Sequence, residues 1–339
     1  MRVGVIGAGY WGPNIVRNLH EAPGAEAVAV ADLSPERLDA IRKRFPAVRV
    51  TTDYRELVGD PSIDAICIVT PVGTHRRLAE EAFAAGKHVF VEKPLATSVT
   101  EAASLVELAD QVGRVLATGH VYVYHPAVVY LRQLARDGAL GRLCYAVSDR
   151  VNAGPPASDL GVIWDLAVHD VAILLSILDQ KPVEVAAEGH RFAQRAVFDV
   201  AFLRLVFPDG FVARIHVSWL SPARVRRLFV AGTAGSAIFD EVRSEEPLTV
   251  VGAAQDSRVG ATDADAHELN YGPVGLHTPI LPTTLPLTAE CLHFLESVRT
   301  GHAPIADGRA GLAVVRVLEA AEQSAVSGGI SVQIGLGVD

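Results

Sequence analysis

The stretch from Val3 to Asp32 restricts the fold of this chain more than any other. Val3 to Ile6 is a short apolar run, Gly7-Ala8-Gly9-Tyr10-Trp11-Gly12 follows it, and Pro13 to His20 has helical character. In a strand–turn–helix context, glycines at these three places let backbone N–H groups approach a pyrophosphate at a helix N-terminus. A second apolar run, Ala27 to Ala31, ends at Asp32, twenty residues beyond Gly12. That spacing suits a carboxylate accepting from adenosine ribose hydroxyls. Ser34-Pro35 already supplies an N-cap and a first-turn proline for the next helix, which leaves Asp32 to a ligand. Its charge repels a 2′-phosphate, so NAD is expected in preference to NADP. The basic run Arg42-Lys43-Arg44 reads as the solvated face of that next helix.

Strands and helices keep alternating. Asp64 to Val69 reads as a strand, Thr70-Pro71-Val72-Gly73-Thr74-His75 as a turn and Arg76 to Ala85 as a helix. His88 to Val91 is a β-branched and aromatic strand that stops at Glu92-Lys93-Pro94. A helix from about Ser98 to Val112 and a strand from Val115 to Thr118 complete the series, ending at Gly119-His120. Repeated β-α units predict a Rossmann-type doubly wound parallel sheet over residues 1–121. In such a sheet ligands lie beyond the carboxyl ends of the strands, which is where Lys93 falls.

After His120 the pattern changes. A helix starting near Pro126 is followed by strands with no helices between most of them: Leu143 to Val151, Val183 to Phe192, Val197 to Phe207, Phe211 to Leu220, Val225 to Ala231 and Ser236 to Asp240. Phe211, Ala213, Ile215, Val217 and Trp219 alternate with more polar residues, so one face is buried, as in an antiparallel sheet with helices on one side. Gln255 to Pro286 reads as a long irregular surface excursion, and helices return at Thr288 to Thr300 and Ala310 to Ser327. Residues 122–339 are therefore expected to form an α+β substrate domain with a large, mostly antiparallel sheet.

Composition excludes other classes. At 339 residues two domains are the natural expectation. A formal charge of −9 argues against nucleic acid as a partner. Cys67, Cys144 and Cys291 form neither a zinc pattern nor a disulfide framework, which suits a reducing cytoplasm. The most apolar window, Leu160 to Leu178, is broken by Asp165, His169 and Asp170, so no membrane span is expected.

That same window carries chemistry. Asp165 and His169 are i and i+4 on a helix running from Trp164 to Leu178, hence one turn apart on one face. An acid beside a histidine orients the imidazole and tunes it for proton transfer, or the two are simply a structural pair. Asp170 points elsewhere, toward packing or solvent. Asp165, His169, His120 and His125 match no zinc spacing, and no metal is expected.

Gly7–Gly12, Asp32, Thr70-Pro71 with His75, Ala85-Gly86-Lys87-His88-Val89 and Glu92-Lys93-Pro94 together resemble the Gfo/Idh/MocA family of sugar and polyol dehydrogenases. The resemblance implies that Lys93 reaches the substrate hydroxyl and the nicotinamide ribose, and that the bond before Pro94 is a candidate for cis. It also implies that Asp165 and His169 are the acid/base signature. Gly7, Gly9, Tyr10, Trp11, Gly12, Asp32, Thr70, Pro71, His75, Glu92, Lys93 and His120 are then the cofactor-binding set. Tyr122, Arg150, Trp164, Lys93, Asp165 and His169 are the substrate set. His75 and His120 remain readable as structural histidines, and Trp11 as a core aromatic. The stretches His120 to Leu143, Trp164 to Leu178 and Glu290 to Leu295, with Asp307-Gly308, look most like the amino-sugar and nucleotide-sugar branch. That branch implies oxidation of a C3-type ring hydroxyl to a ketone, with a homodimer or homotetramer formed through the C-terminal sheet. A nucleotide carrier calls for a cation such as Arg150, and a polycationic aminoglycoside suits the acidic balance and Asp159. Alternatives are an NADPH-dependent keto-sugar reductase, an inositol-type polyol dehydrogenase and a non-catalytic dinucleotide sensor.

Overall fold

The computed structural model describes residues 1–154, 160–193, 196–243, 245–253 and 274–335. The first part alternates as expected. It runs β1 (Arg2–Ile6), α1 (Gly12–Glu21), β2 (Glu26–Ala31), α2 (Pro35–Arg44), β3 (Arg49–Thr51), α3 (Arg55–Val58), β4 (Ala65–Ile68), α4 (His75–Ala84), β5 (His88–Glu92), α5 (Val99–Val112) and β6 (Leu116–Gly119). The six strands form one parallel sheet in the order β3-β2-β1-β4-β5-β6. This is the doubly wound arrangement, with its reversal of strand order between β1 and β4, where ligands bind in such folds. β3 and α3 escape the sequence reading because three- and four-residue elements carry no full period.

The remainder runs α6 (Pro126–Arg136), β7 (Leu143–Ala153), a π-helical turn (Ile163–Ala167), α7 (Val168–Leu178), β8 (Glu184–His190), β9 (Val200–Val206), β10 (Val212–Ser218), β11 (Leu220–Gly232), β12 (Gly235–Asp240), β13 (Leu248–Ala253), β14 (Val274–His277), α8 (Pro286–Thr300), α9 (Gly308–Val326) and β15 (Val332–Gln333). Nine strands make a mixed sheet, β14-β13-β12-β11-β7-β10-β9-β8-β15, in which only β7 and β10 pair in parallel. The alternation along β10 holds: Phe211, Ala213, Ile215, Val217 and Trp219 are all buried. Much of the expected excursion from Gln255 lies outside the described residues, but β14 supplies a strand within it.

The chain separates into two compact units, Met1–Tyr124 with Thr284–Arg316, and His125–Thr283 with Val317–Asp339. Thr284–Arg316, which lies beyond the expected boundary at 121/122, joins the first unit. The reason is packing in the first unit: Cys291, Phe294 and Leu295 of α8 join the core formed by Cys67, Phe90 and Ala117. Phe294 meets Phe90 edge-on, with ring centroids 5.7 Å apart. Farther on, the Thr118 N–H donates to the Ala306 carbonyl at 2.8 Å, tying the segment before α9 to β6. Among the described residues no helix is long and apolar enough to cross a membrane.

Candidate active site

In the first unit the glycine loop is built for a dinucleotide. Gly7 has φ +105°, and a side chain there would run into the Val69 carbonyl; one at Gly12 would run into the Gly7 carbonyl. Nothing lies within 4 Å of a side chain added at Gly9, which leaves the loop open on that side for a phosphate. Tyr10 and Trp11 are exposed beside it and pack edge to face, so Trp11 is not a core aromatic. Asp32, at the end of β2, accepts from the Ala8 N–H at 2.6 Å and the Ser34 N–H at 2.8 Å. Ser34 caps α2, accepting from the Arg37 N–H. Asp32 thus ties the loop to β2 while each oxygen keeps a lone pair for a ribose hydroxyl. These residues fit NAD.

Arg37 adds a detail absent from the sequence reading, since its guanidinium lies 3.7 Å from Asp32. In Asp32→Ala that cation loses its partner, and a 2′-phosphate no longer meets a negative charge. NAD affinity is expected to fall about tenfold or more, while NADP gains relative to it. Calorimetric titration of both cofactors checks this; tighter NADP than NAD binding by the unmutated protein would refute the expected preference.

Past β4, the Thr70 hydroxyl donates to Thr74 and the Thr74 hydroxyl to the Pro71 carbonyl, holding the turn before α4. His75 is buried and braces this turn. Its ring nitrogens lie 2.8 Å from the Thr70 carbonyl and 3.0 Å from the Pro94 carbonyl, and the residue is 1% exposed. Burial lowers its pKa despite these acceptors. Pro94 follows Lys93 through a cis bond. Lys93 sits just past β5, and Glu92 accepts from the Lys93 backbone N–H at 2.8 Å. Desolvation lifts the Glu92 carboxyl to about 7 against the pull of Lys93. His120, after β6, is buried with no hydrogen-bond partner for either ring nitrogen among the described residues. Burial, with Lys93 nearby, lowers its pKa to about 3, so the imidazole is neutral. Tyr122 lies half-buried in a 3₁₀ turn, Val121–Tyr124.

In the second unit the helix expected from Trp164 begins as a π-helical turn, a feature that recurs at functional sites. Asp165, partly buried, accepts from the Trp219 indole N–H at 3.1 Å. His169 lies in the first turn of α7, also partly buried. Trp219, just past β10, was legible only as a core residue, because alternation marks burial and not the direction of an N–H. Trp164 is 3% exposed and donates its indole N–H to Glu322. Arg150 is 2% exposed and paired with Asp170 (2.7 Å) and Glu241 (3.2 Å), so two carboxylates already match its charge. Asp170 is not solvent-facing but buried against Arg150 and the Ser148 hydroxyl. Asp159 lies outside the described residues. Among the described residues no cluster of His, Cys, Asp or Glu is placed to hold a metal.

The comparisons agree with this geometry. Residues 1–120 match the oxidoreductase family with an NAD-binding Rossmann fold, and residues 128–238 match the GFO/IDH/MocA C-terminal domain. UDP-N-acetylglucosamine 3-dehydrogenase of Acidithiobacillus ferrooxidans is 33% identical over 68% of this chain and 71% of its own. The chain belongs to the Gfo/Idh/MocA family. Scyllo-inositol 2-dehydrogenase (NAD(+)) of Bacillus subtilis is 28% identical over 90% of this chain and 88% of its own. The structure of GenD2 from gentamicin A biosynthesis, in complex with NAD, aligns with a TM-score of 0.82 at 26% identity, over 99% of this chain and 96% of that one. This Gfo/Idh/MocA protein is an oxidoreductase of sugar or polyol hydroxyls, and NAD is its cofactor.

Proposed function

We propose that the protein oxidises a secondary ring hydroxyl, of the C3 type, in a sugar or amino-sugar unit to a ketone. The observation that carries this reading is the Asp165–His169 signature on the π-helical turn and α7, with Asp165 anchored by Trp219. His169 removes the hydroxyl proton and Asp165 orients its ring. Lys93, presented past the carboxyl end of β5, hydrogen-bonds the alcohol oxygen as negative charge develops on it. Bound NAD supplies the hydride acceptor. A non-catalytic sensor has no use for a base and a lysine of this kind, which argues against that alternative.

The carrier of the sugar divides the candidates. With Arg150 held by Asp170 and Glu241, the diphosphate reading loses the cation assigned to it, and the acidic chain favours a cationic amino sugar. The partner in assembly is a second copy of the chain. Support comes from the open face of the nine-stranded sheet, where Tyr145, Val147 and Phe202 are exposed and Phe202 stacks on His216.

NADH formation on a UDP-linked amino sugar, an aminoglycoside pseudotrisaccharide and myo-inositol tests the substrate. Turnover is expected on an amino-sugar compound, the aminoglycoside foremost. Efficient oxidation of myo-inositol alone would place the protein with the polyol dehydrogenases. Activity only with NADPH and a keto-sugar would make it a reductase.

A further inference from the structure

We propose that Glu92, backed by the buried acid Glu290, holds an exchangeable proton at the nicotinamide end of the cofactor site, released when NAD⁺ binds and kept when NADH binds. The argument starts from register. Phe90 and Glu92 are two residues apart on β5 and so share a face. Glu290 and Phe294 are one turn apart on α8 and share a stripe. Because Phe294 packs on Phe90, the preceding helical turn brings Glu290 toward Glu92 at the carboxyl end of the strand. Glu290 is 2% exposed, and neither of its carboxyl oxygens has a hydrogen-bond partner among the described residues.

A charge cannot be held in such a place, and two charges side by side still less. Burial, then the proximity of Glu92, raises the Glu290 carboxyl well above its ordinary range, so it stays protonated. The other titratable groups around the pair are Cys67 from β4, Lys93 past β5, His120 past β6 and Cys291 from α8. Both thiols are pushed up by burial and remain protonated. His120 is held neutral. Glu92 alone among these carboxyls, thiols and imidazole is set to change charge near neutrality.

Its position gives that change a meaning. The Glu92 carboxyl lies against Gly119, where an added side chain would come within 3.1 Å of Oε1, and it is hydrogen-bonded to the backbone of Lys93. The inference rests on the reading that Lys93 contacts the nicotinamide ribose. NAD⁺ and NADH differ in charge only at the nicotinamide ring. A positive ring beside Glu92 favours its carboxylate and expels the proton; a neutral ring does not.

Calorimetry of NAD⁺ and of NADH binding at pH 7, each in two buffers of different ionisation enthalpy, counts the protons. About half a proton is expected to leave on binding NAD⁺, from a group half protonated at that pH, and close to none on binding NADH. By reciprocity NAD⁺ should bind up to about tenfold tighter at pH 8 than at pH 6, with NADH affinity nearly flat. Glu92→Gln should abolish the difference. Equal release with both cofactors would overturn the proposal, and so would release that survives Glu92→Gln. The wild-type comparison of the two cofactors decides the matter even if that variant does not fold. Because neither measurement involves turnover, a wrong assignment of Lys93 in catalysis would show separately, as activity retained in its alanine variant.

Discussion

Asp170→Ala is expected to destabilise the second unit by about 3–5 kcal/mol, the range for removing one partner of a buried ion pair. Arg150, among the largest fully buried side chains, crosses from β7 to Asp170 on α7 and Glu241 after β12. Asp170 also accepts from the Ser148 hydroxyl at 2.7 Å, so alanine takes an acceptor from a buried guanidinium and leaves the hydroxyl with only the Arg227 carbonyl, at 3.3 Å. Glu241 lies within reach of Arg224 and Arg226 as well, and cannot make up the loss. Asp170→Asn keeps the shape and one carbonyl acceptor and should lose less. Arg150→Met with Asp170→Leu should recover much of the stability, because neither charge then needs a partner. Urea unfolding followed by tryptophan fluorescence suits the measurement, since Trp164 and Trp219 both belong to this unit. A loss under about 1 kcal/mol in Asp170→Ala would mean that Glu241 alone holds the arginine.

What was legible in the sequence depended on whether a residue's task is local. The glycine loop, Asp32 and Ser34-Pro35 act within a few residues or at a fixed spacing, and all sit where the sequence implies. Alternation along β10 identified its buried face for the same reason. Pairing across the chain was not legible. Arg150 looked like an available cation because nothing in its neighbourhood announces Asp170 and Glu241, 20 and 91 positions away. The Pro94 carbonyl that lies against the His75 ring, 19 residues on, has no local signal in the sequence either. Glu290 lies on a helix whose sequence position suggests the second domain, yet α8 packs on Cys67, Phe90 and Ala117 of the first. The change to a π-helical turn at Ile163–Ala167 left no mark either, since its spacing still reads as helical.

Lys93→Ala and His169→Ala are each expected to lower kcat by about 10²–10⁴-fold, the range for losing a positioned proton-transfer or charge-stabilising group. In the proposed roles both act where charge moves in the transition state, so kcat and kcat/KM should fall together, while NAD affinity changes no more than a few-fold. Asp165→Asn should fall short of that loss, because it disturbs the orientation of the histidine without removing the base. Trp219→Phe should be milder still and in the same direction, since it deletes the indole N–H that Asp165 accepts, together with part of a buried ring, and leaves acid and base in place. The order of effect is the test: His169→Ala and Lys93→Ala most severe, then Asp165→Asn, then Trp219→Phe. Steady-state kinetics across pH 6 to 10 on whichever substrate the panel identifies would measure it. A Trp219→Phe variant as impaired as His169→Ala would mean that the indole itself contacts substrate. Near-normal turnover of His169→Ala at every pH would remove histidine as the base and leave Lys93 as the first group to examine, its amine being able to accept a proton once neutral.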